Sequence, residues 1–134
     1  MFEISVEETF AAGHALRGYR GKCENVHGHN YKVQVTLRGP ELGSIGLLFD
    51  FKDLKDAIHA TIRKLDHQFL NEVPPFDSIN PSAENLARYF YEEVGSVLTE
   101  NGPQGNPCAP CAVKQVTVWE SDTTAASYFA DERL

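Results

Sequence analysis

The chain has 134 residues and a formal net charge of -7, with 42% of its residues hydrophobic and 23% charged. That balance suits one globular domain over residues 1–134 and excludes a disordered tail or a fibre; the negative excess repels phosphate backbones, so no nucleic acid is expected as a partner. No run nears the roughly 18 apolar residues of a membrane span, no membrane is expected as a partner, and three cysteines behind an ordinary start (Met1-Phe2-Glu3-Ile4-Ser5) predict a reduced, cytoplasmic protein.

Phe2, Ile4 and Val6 alternate with Glu3, Ser5 and Glu7, the pattern of a half-buried strand. Gly13, Gly18, Gly21 and Gly28 break the pattern over residues 11–28, which read as a long functional loop. Alternation returns at Tyr31, Val33, Val35 and Leu37, a second strand that stops at the turn pair Gly39-Pro40. Asp50 is a natural cap for a helix carrying Phe51, Leu54, Ile58, Ile62 and Leu65 at helical spacing. Pro74-Pro75 imposes a loop.

A second helix is expected after Asn80-Pro81-Ser82, with Pro81 in its first turn, where a missing N–H costs nothing. Its apolar side is Leu86, Tyr89, Phe90, Val94, Val97 and Leu98. A third strand runs from Val113 to Glu120 and a short fourth from Ser127 to Ala130. The order ββααββ predicts an α+β domain, a four-stranded antiparallel sheet with two helices on one face.

The densest chemistry lies in Cys23-Glu24-Asn25-Val26-His27-Gly28-His29. On a strand His27 and His29 point to the same side, and His14 reaches the same point if the two strands pair as a hairpin. Three neutral imidazoles with an open fourth position is the arrangement of a catalytic zinc, although nitrogen donors also suit copper or nickel. Cys23 stands beside Lys22 and Arg20 in a glycine-rich loop, conditions that favour a thiolate. It serves equally as nucleophile, metal ligand or general base; a small buried hydrophobe is the bland alternative.

Asp66-His67 is an acid–base pair in which the carboxylate sets the imidazole tautomer, or else a histidine meeting a helix C-terminus. Glu120 shares a strand face with Val116 and Val118, which directs it to the core or an interface, where a carboxylate needs a partner. It suits gripping paired N–H donors on a heterocycle. Arg17, Arg20 and Lys22 make a basic patch, either an anchor for an anionic substrate tail or a solvated loop. Cys108-Ala109-Pro110-Cys111 lacks a second pair to complete a zinc site and lacks the helix that follows a redox motif, so it reads as a loop feature.

Together these residues resemble the 6-pyruvoyltetrahydropterin synthase family, and most of all its bacterial 6-carboxytetrahydropterin synthase branch. The resemblance rests on Phe10-Ala11-Ala12-Gly13-His14, Cys23-x3-His27-Gly28-His29-Asn30-Tyr31, Gly46-Leu47-Leu48-Phe49-Asp50-Phe51, Leu65-Asp66-His67, Leu70-Asn71, Asn80-Pro81-Ser82-x-Glu84-Asn85 and Val118-Trp119-Glu120, in order along nearly the whole chain. Gly13 departs from the alanine often found there, and the freer backbone leaves the placement of His14 open.

The resemblance implies a tunnelling (T-fold) architecture and a homohexamer, two trimers stacked into a barrel with active sites between subunits. It implies Zn2+ on His14, His27 and His29, Cys23 as base, Asp66 and His67 as proton relay to a neighbouring subunit's Cys23, and Glu120 as the pterin anchor. The implied substrate is a pterin triphosphate, 7,8-dihydroneopterin triphosphate. Loss of acetaldehyde and triphosphate would leave 6-carboxytetrahydropterin for queuosine and other deazapurines, with no nicotinamide or flavin.

A related branch reads Glu-x2-His-Gly-His and uses that glutamate as base, giving 6-hydroxymethyldihydropterin for folate. Glu24 satisfies this pattern as Cys23 satisfies the other, so the folate-branch product, the 6-pyruvoyl product and a dual activity stay open beside a solvated Glu24 paired with Lys22. A non-enzymatic zinc-binding domain and a simple metallohydrolase, in which Cys23 is dispensable, are the readings from other classes.

Overall fold

Alternating side chains build two long strands, β1 (Phe2–His14) and β2 (His27–Gly39), each of 13 residues. The computed structural model describes residues 1–19, 25–100, 111–129 and 131. β1 and β2 pair antiparallel from Phe2↔Gly39 to His14↔His27. Directly opposite residues share a face, so Val6, Phe10, Ala12 and His14 of β1 are buried with Tyr31, Val33, Val35 and Leu37 of β2.

The expected loop over 11–28 is therefore shorter than its glycines suggest. Gly13 and Gly28 are partners in the ladder; burial of Phe10, Ala12 and His14 keeps this stretch extended despite the weak strand preference of glycine.

β3 (Ala112–Ser121) pairs with β2, and β4 (Thr124–Phe129) pairs with β3, giving the antiparallel order β1-β2-β3-β4. β4 begins at Thr124 instead of Ser127, because the turn at Asp122 and Thr123 lets Ser121 pair at once with Thr124.

The Asp50 side chain accepts from the Lys52 N–H at 2.7 Å and opens α1 (Phe51–Ile62). Leu54, Ala57, Ile58, Thr61 and Ile62 are its buried side, while Phe51, expected in that stripe, is 53% exposed. α2 (Ala83–Glu100) starts after Ser82, whose Oγ accepts from the Asn85 N–H at 3.1 Å. Pro81 thus lies just outside the helix, not in its first turn. Its position has a different consequence, since its carbonyl reaches a histidine of β1.

Helix α1 packs on β1 and α2 on β3 and β4, with the helices touching each other. The core between them and the sheet includes Phe10 stacked on Tyr31 at 5.0 Å and tilted against Phe90 at 5.6 Å. Full burial of each such side chain stabilises the fold by roughly 1.5–3 kcal/mol. Among the described residues no helix is long and apolar enough to cross a membrane. Cys111 is buried and disulfide-bonded, which corrects the expectation of a wholly reduced chain; Cys23 and Cys108 lie outside the described residues.

Candidate metal centre

At the end of the β1–β2 ladder the core stripe changes from aliphatic to imidazole. His14 faces His27, and His29 stands opposite Ala12, two pairs further in and on the same face. The His14 Nε2 lies 3.0 Å from the His27 Nε2 and 3.1 Å from the His29 Nε2. One ring nitrogen from each of the three lies within 4.8 Å of the others.

The tautomers follow from the other ring nitrogens. His14 Nδ1 is 2.7 Å from the Pro81 carbonyl, and His27 Nδ1 is 2.7 Å from the Asn25 carbonyl. A carbonyl only accepts, so both Nδ1 atoms carry the proton and both Nε2 atoms present lone pairs. Two lone pairs 3.0 Å apart repel unless a cation lies between them. Burial pushes the His29 imidazole pKa below its ordinary value, against the opposing pull of Glu120 and with help from His14 and His27. That favours the neutral, ligating form. These three residues fit a divalent metal of borderline softness.

Glu120 lies beside this centre. Val116 and Val118 of the same strand are buried, and the ladder is irregular between Trp119 and Ser121, a local break of the kind that re-aims a side chain. The Glu120 Oε1 is 4.0 Å from the His14 Nε2 with the side chain 28% exposed. Glu120 lines a cavity of about 220 Å³ with Leu16, Ser82, Glu84 and Thr124. In the sequence Glu84 is legible only as part of a motif. A carboxylate in the first turn of a helix is favoured anyway, so nothing local distinguishes it from an ordinary helix start.

Asp66 and His67 follow α1 and dock on the outer edge of β1. Asp66 Oδ1 accepts from the Ala11 N–H at 3.0 Å and stands 3.0 Å from the His67 Nδ1. The His67 N–H donates to the Ala11 carbonyl at 2.6 Å, and the Gly13 N–H donates to the Gln68 carbonyl at 3.0 Å. The Ala11 amide, more than the His67 ring, holds the Asp66 carboxyl below its usual range. His67 itself has a φ of 59°, a left-handed conformation uncommon for a side chain of this size and typical of functional sites. The helix-terminus alternative does not hold, since α1 ends at Ile62. His67 lines a cavity of about 510 Å³ together with His29, Gly28, Val26 and Phe69.

Arg17 has a different employment from the expected anchor of an anionic tail. Its guanidinium donates to the carbonyls of Phe76, Ile79 and Asn71 at 2.8, 3.2 and 3.2 Å. Two asparagines also clamp the main chain beyond β1. Asn71 exchanges two hydrogen bonds with Ala15 at 2.9 and 2.8 Å, and Asn80 two with Arg17 at 2.8 and 2.9 Å. These amides imitate a partner strand where the sheet has run out. Arg20, Lys22, Cys23 and Glu24 lie outside the described residues.

The freedom that Gly13 lends the backbone does not displace His14. A Cβ at Gly13 would meet the His27 carbonyl at 3.5 Å and the Phe69 ring at 4.0 Å, ordinary contact distances. Gly13→Ala is expected to stabilise the protein by about 0.4–1 kcal/mol through the unfolded chain. Urea denaturation measures it, and a loss of stability would show strain that these distances do not contain.

A family model described as 6-pyruvoyl tetrahydropterin synthase matches residues 3–131. Over an alignment 161 positions long, gaps included, the chain is 29% identical to a 6-carboxy-5,6,7,8-tetrahydropterin synthase of Aquifex aeolicus, covering 95% of this chain and 97% of that protein. It is 34% identical over 109 residues to the Bacillus subtilis protein of the same name, covering 76% and 73%. A 6-pyruvoyl tetrahydrobiopterin synthase of Poecilia reticulata is 36% identical over 114 residues, covering 75% and 78%. Among solved structures, the Caenorhabditis elegans 6-pyruvoyl tetrahydropterin synthase superposes with a TM-score of 0.79 at 26% identity, covering 97% of this chain and 96% of that one.

Proposed function

Because the chain belongs to the 6-pyruvoyl tetrahydropterin synthase family, we propose that it converts 7,8-dihydroneopterin triphosphate to 6-carboxy-5,6,7,8-tetrahydropterin, releasing acetaldehyde and triphosphate. This is a step towards queuosine and other deazapurines in the cytoplasm. The observation that carries the reading is the convergence of three Nε2 atoms at one point, with Glu120 4.0 Å from the His14 member. Relatives of the same name, one aligned over nearly the whole chain, support the 6-carboxy product.

His14, His27 and His29 would hold Zn2+, which when bound supplies Lewis acidity to the hydroxyls of the substrate side chain. The chain's own residues handle binding and protons. Glu120 accepts the paired N–H donors of the pterin ring, in a cavity that Glu84 also lines. Cys23 removes the side-chain proton. Asp66, held ionised by the Ala11 amide, fixes His67 with its Nδ1 protonated, so that the Nε2 is the nitrogen that exchanges protons. His67 is 81% exposed, which suits service to the Cys23 of a neighbouring subunit in a homohexamer. Within the described residues β4 pairs only with β3, and such an edge is available to another subunit's strand.

A second reading rests on Glu24, which stands in the Glu-x2-His-Gly-His arrangement. In it the side chain is cut to 6-hydroxymethyl-7,8-dihydropterin, alone or beside the first activity. A product assay on zinc-loaded protein separates them, comparing the wild type with Cys23→Ala and Glu24→Ala. Formation of the 6-carboxy product, abolished only by Cys23→Ala, is the expected result. A 6-hydroxymethyl product that vanishes with Glu24→Ala would replace it with the second reading. Unconsumed substrate in all three would overturn both and leave a metal-binding domain.

A further inference from the structure

Tyr31 is fully buried, and as a strand residue it needs no hydroxyl to fill its place in the core. Its ring stacks on Phe10 at 5.0 Å and meets His29 edge-on at 5.3 Å. The hydroxyl lies 3.1 Å from the His14 Nδ1. That nitrogen already has the Pro81 carbonyl at 2.7 Å, so its proton is shared between a strong acceptor and a weaker one. A phenol oxygen in the protein interior requires a partner, and here the partner is a ring of the histidine centre.

We propose that Tyr31 is a positioning residue for the metal, holding His14 through its hydroxyl and bracing His29 with its ring. The inference rests on the reading of His14, His27 and His29 as metal ligands. Of the two oxygens at the Nδ1, the Pro81 carbonyl only accepts and so disfavours the tautomer in which Nε2 is protonated and unable to ligate, whereas the Tyr31 hydroxyl can donate as well as accept and fixes the ring's position, not its tautomer. They also restrict rotation of the His14 ring about its Cβ–Cγ bond, since turning it leaves both oxygens behind. Pro81 contributes from the approach to α2 and Tyr31 from β2, so the ring is held between the helical layer and the sheet. Outer contacts of this kind set ligand orientation and basicity, and their loss typically lowers metal affinity about 10–100-fold.

The variant Tyr31→Phe keeps the aromatic packing and removes only the oxygen. Zinc affinity of the metal-free full chain is measured by competition with a chromophoric chelator, beside the melting temperature of the metal-free forms. The expected result is an affinity about tenfold weaker, near the lower end because the Pro81 carbonyl stays. Thermal stability should be unchanged or slightly raised, a combination that a merely structural tyrosine does not produce. Long-range proton–nitrogen spectra of the metal-free protein should show a shifted His14 Nδ1 resonance in the variant, with the Nδ1-protonated tautomer kept by the Pro81 carbonyl.

Equal zinc affinity in wild type and variant would overturn the proposal and leave the metal reading standing. Failure of the wild type to bind zinc would overturn the metal reading. The nitrogen spectra then decide by themselves whether the hydroxyl holds His14, and an unshifted Nδ1 resonance would dispose of that as well.

Discussion

Replacing His27 with alanine is expected to abolish zinc binding and turnover while leaving the fold intact; His14→Ala should abolish both and also destabilise the chain. The difference lies in what each ring touches on its far side. His14 is 1% exposed and is a partner of two buried oxygens, the Pro81 carbonyl and the Tyr31 hydroxyl. Removing it takes the imidazole away from both, at a cost of roughly 1–3 kcal/mol. His27 sits nearer solvent, and its Nδ1 partner, the Asn25 carbonyl, can turn to water.

Loss of a contact behind a ligand costs about 10–100-fold in affinity, so loss of a ligand should exceed the upper figure. Equilibrium dialysis against zinc and thermal melts with and without the ion measure both effects. Retention of zinc by His27→Ala would remove that residue from the centre.

The second large effect concerns the core on which the centre rests. Phe90 is fully buried on α2 and contacts Phe10, which in turn stacks on Tyr31. Phe90→Ala is expected to destabilise the protein by about 3–5 kcal/mol, a drop in Tm on the order of 10–20 °C. Zinc at ~100 times its dissociation constant should return about 2.7 kcal/mol of that by binding only the folded form. The same addition should do nothing for His27→Ala. A melt of Phe90→Ala unmoved by zinc, in a protein whose wild type responds, would show that the aromatic core and the centre are not coupled through folding.

Much of the candidate site is legible in the amino-acid sequence because the placement of its imidazoles follows local rules. His27 and His29 are two apart on a strand, and a period of two makes their convergence a matter of backbone geometry. Asp50 at the start of α1 and the apolar side of α2 are equally local. Where sequence misleads, a long-range contact overrides a local preference. The glycines around His14 suggest a loop, yet the burial of Phe10 and Ala12 and the edge contacts from Asp66, His67 and Gln68 keep β1 extended as far as His14. Arg17 resembles an anion anchor because sequence shows charge but not the three carbonyls that its guanidinium meets in the 71–79 stretch.

Sequence alone thus suffices for the element order, the two faces of each strand and the identity of the imidazoles, since alternation, capping and composition act between near neighbours. Only the tertiary structure decides which nitrogen of each ring is free and which backbone holds it. Pro81 is 67 residues from His14 in the chain, and Asn71 is 56 from Ala15. Contacts over such separations form when a helix packs on a sheet. No local pattern encodes them, because what they satisfy is a buried hydrogen-bonding group that acquires its partner only in the folded chain.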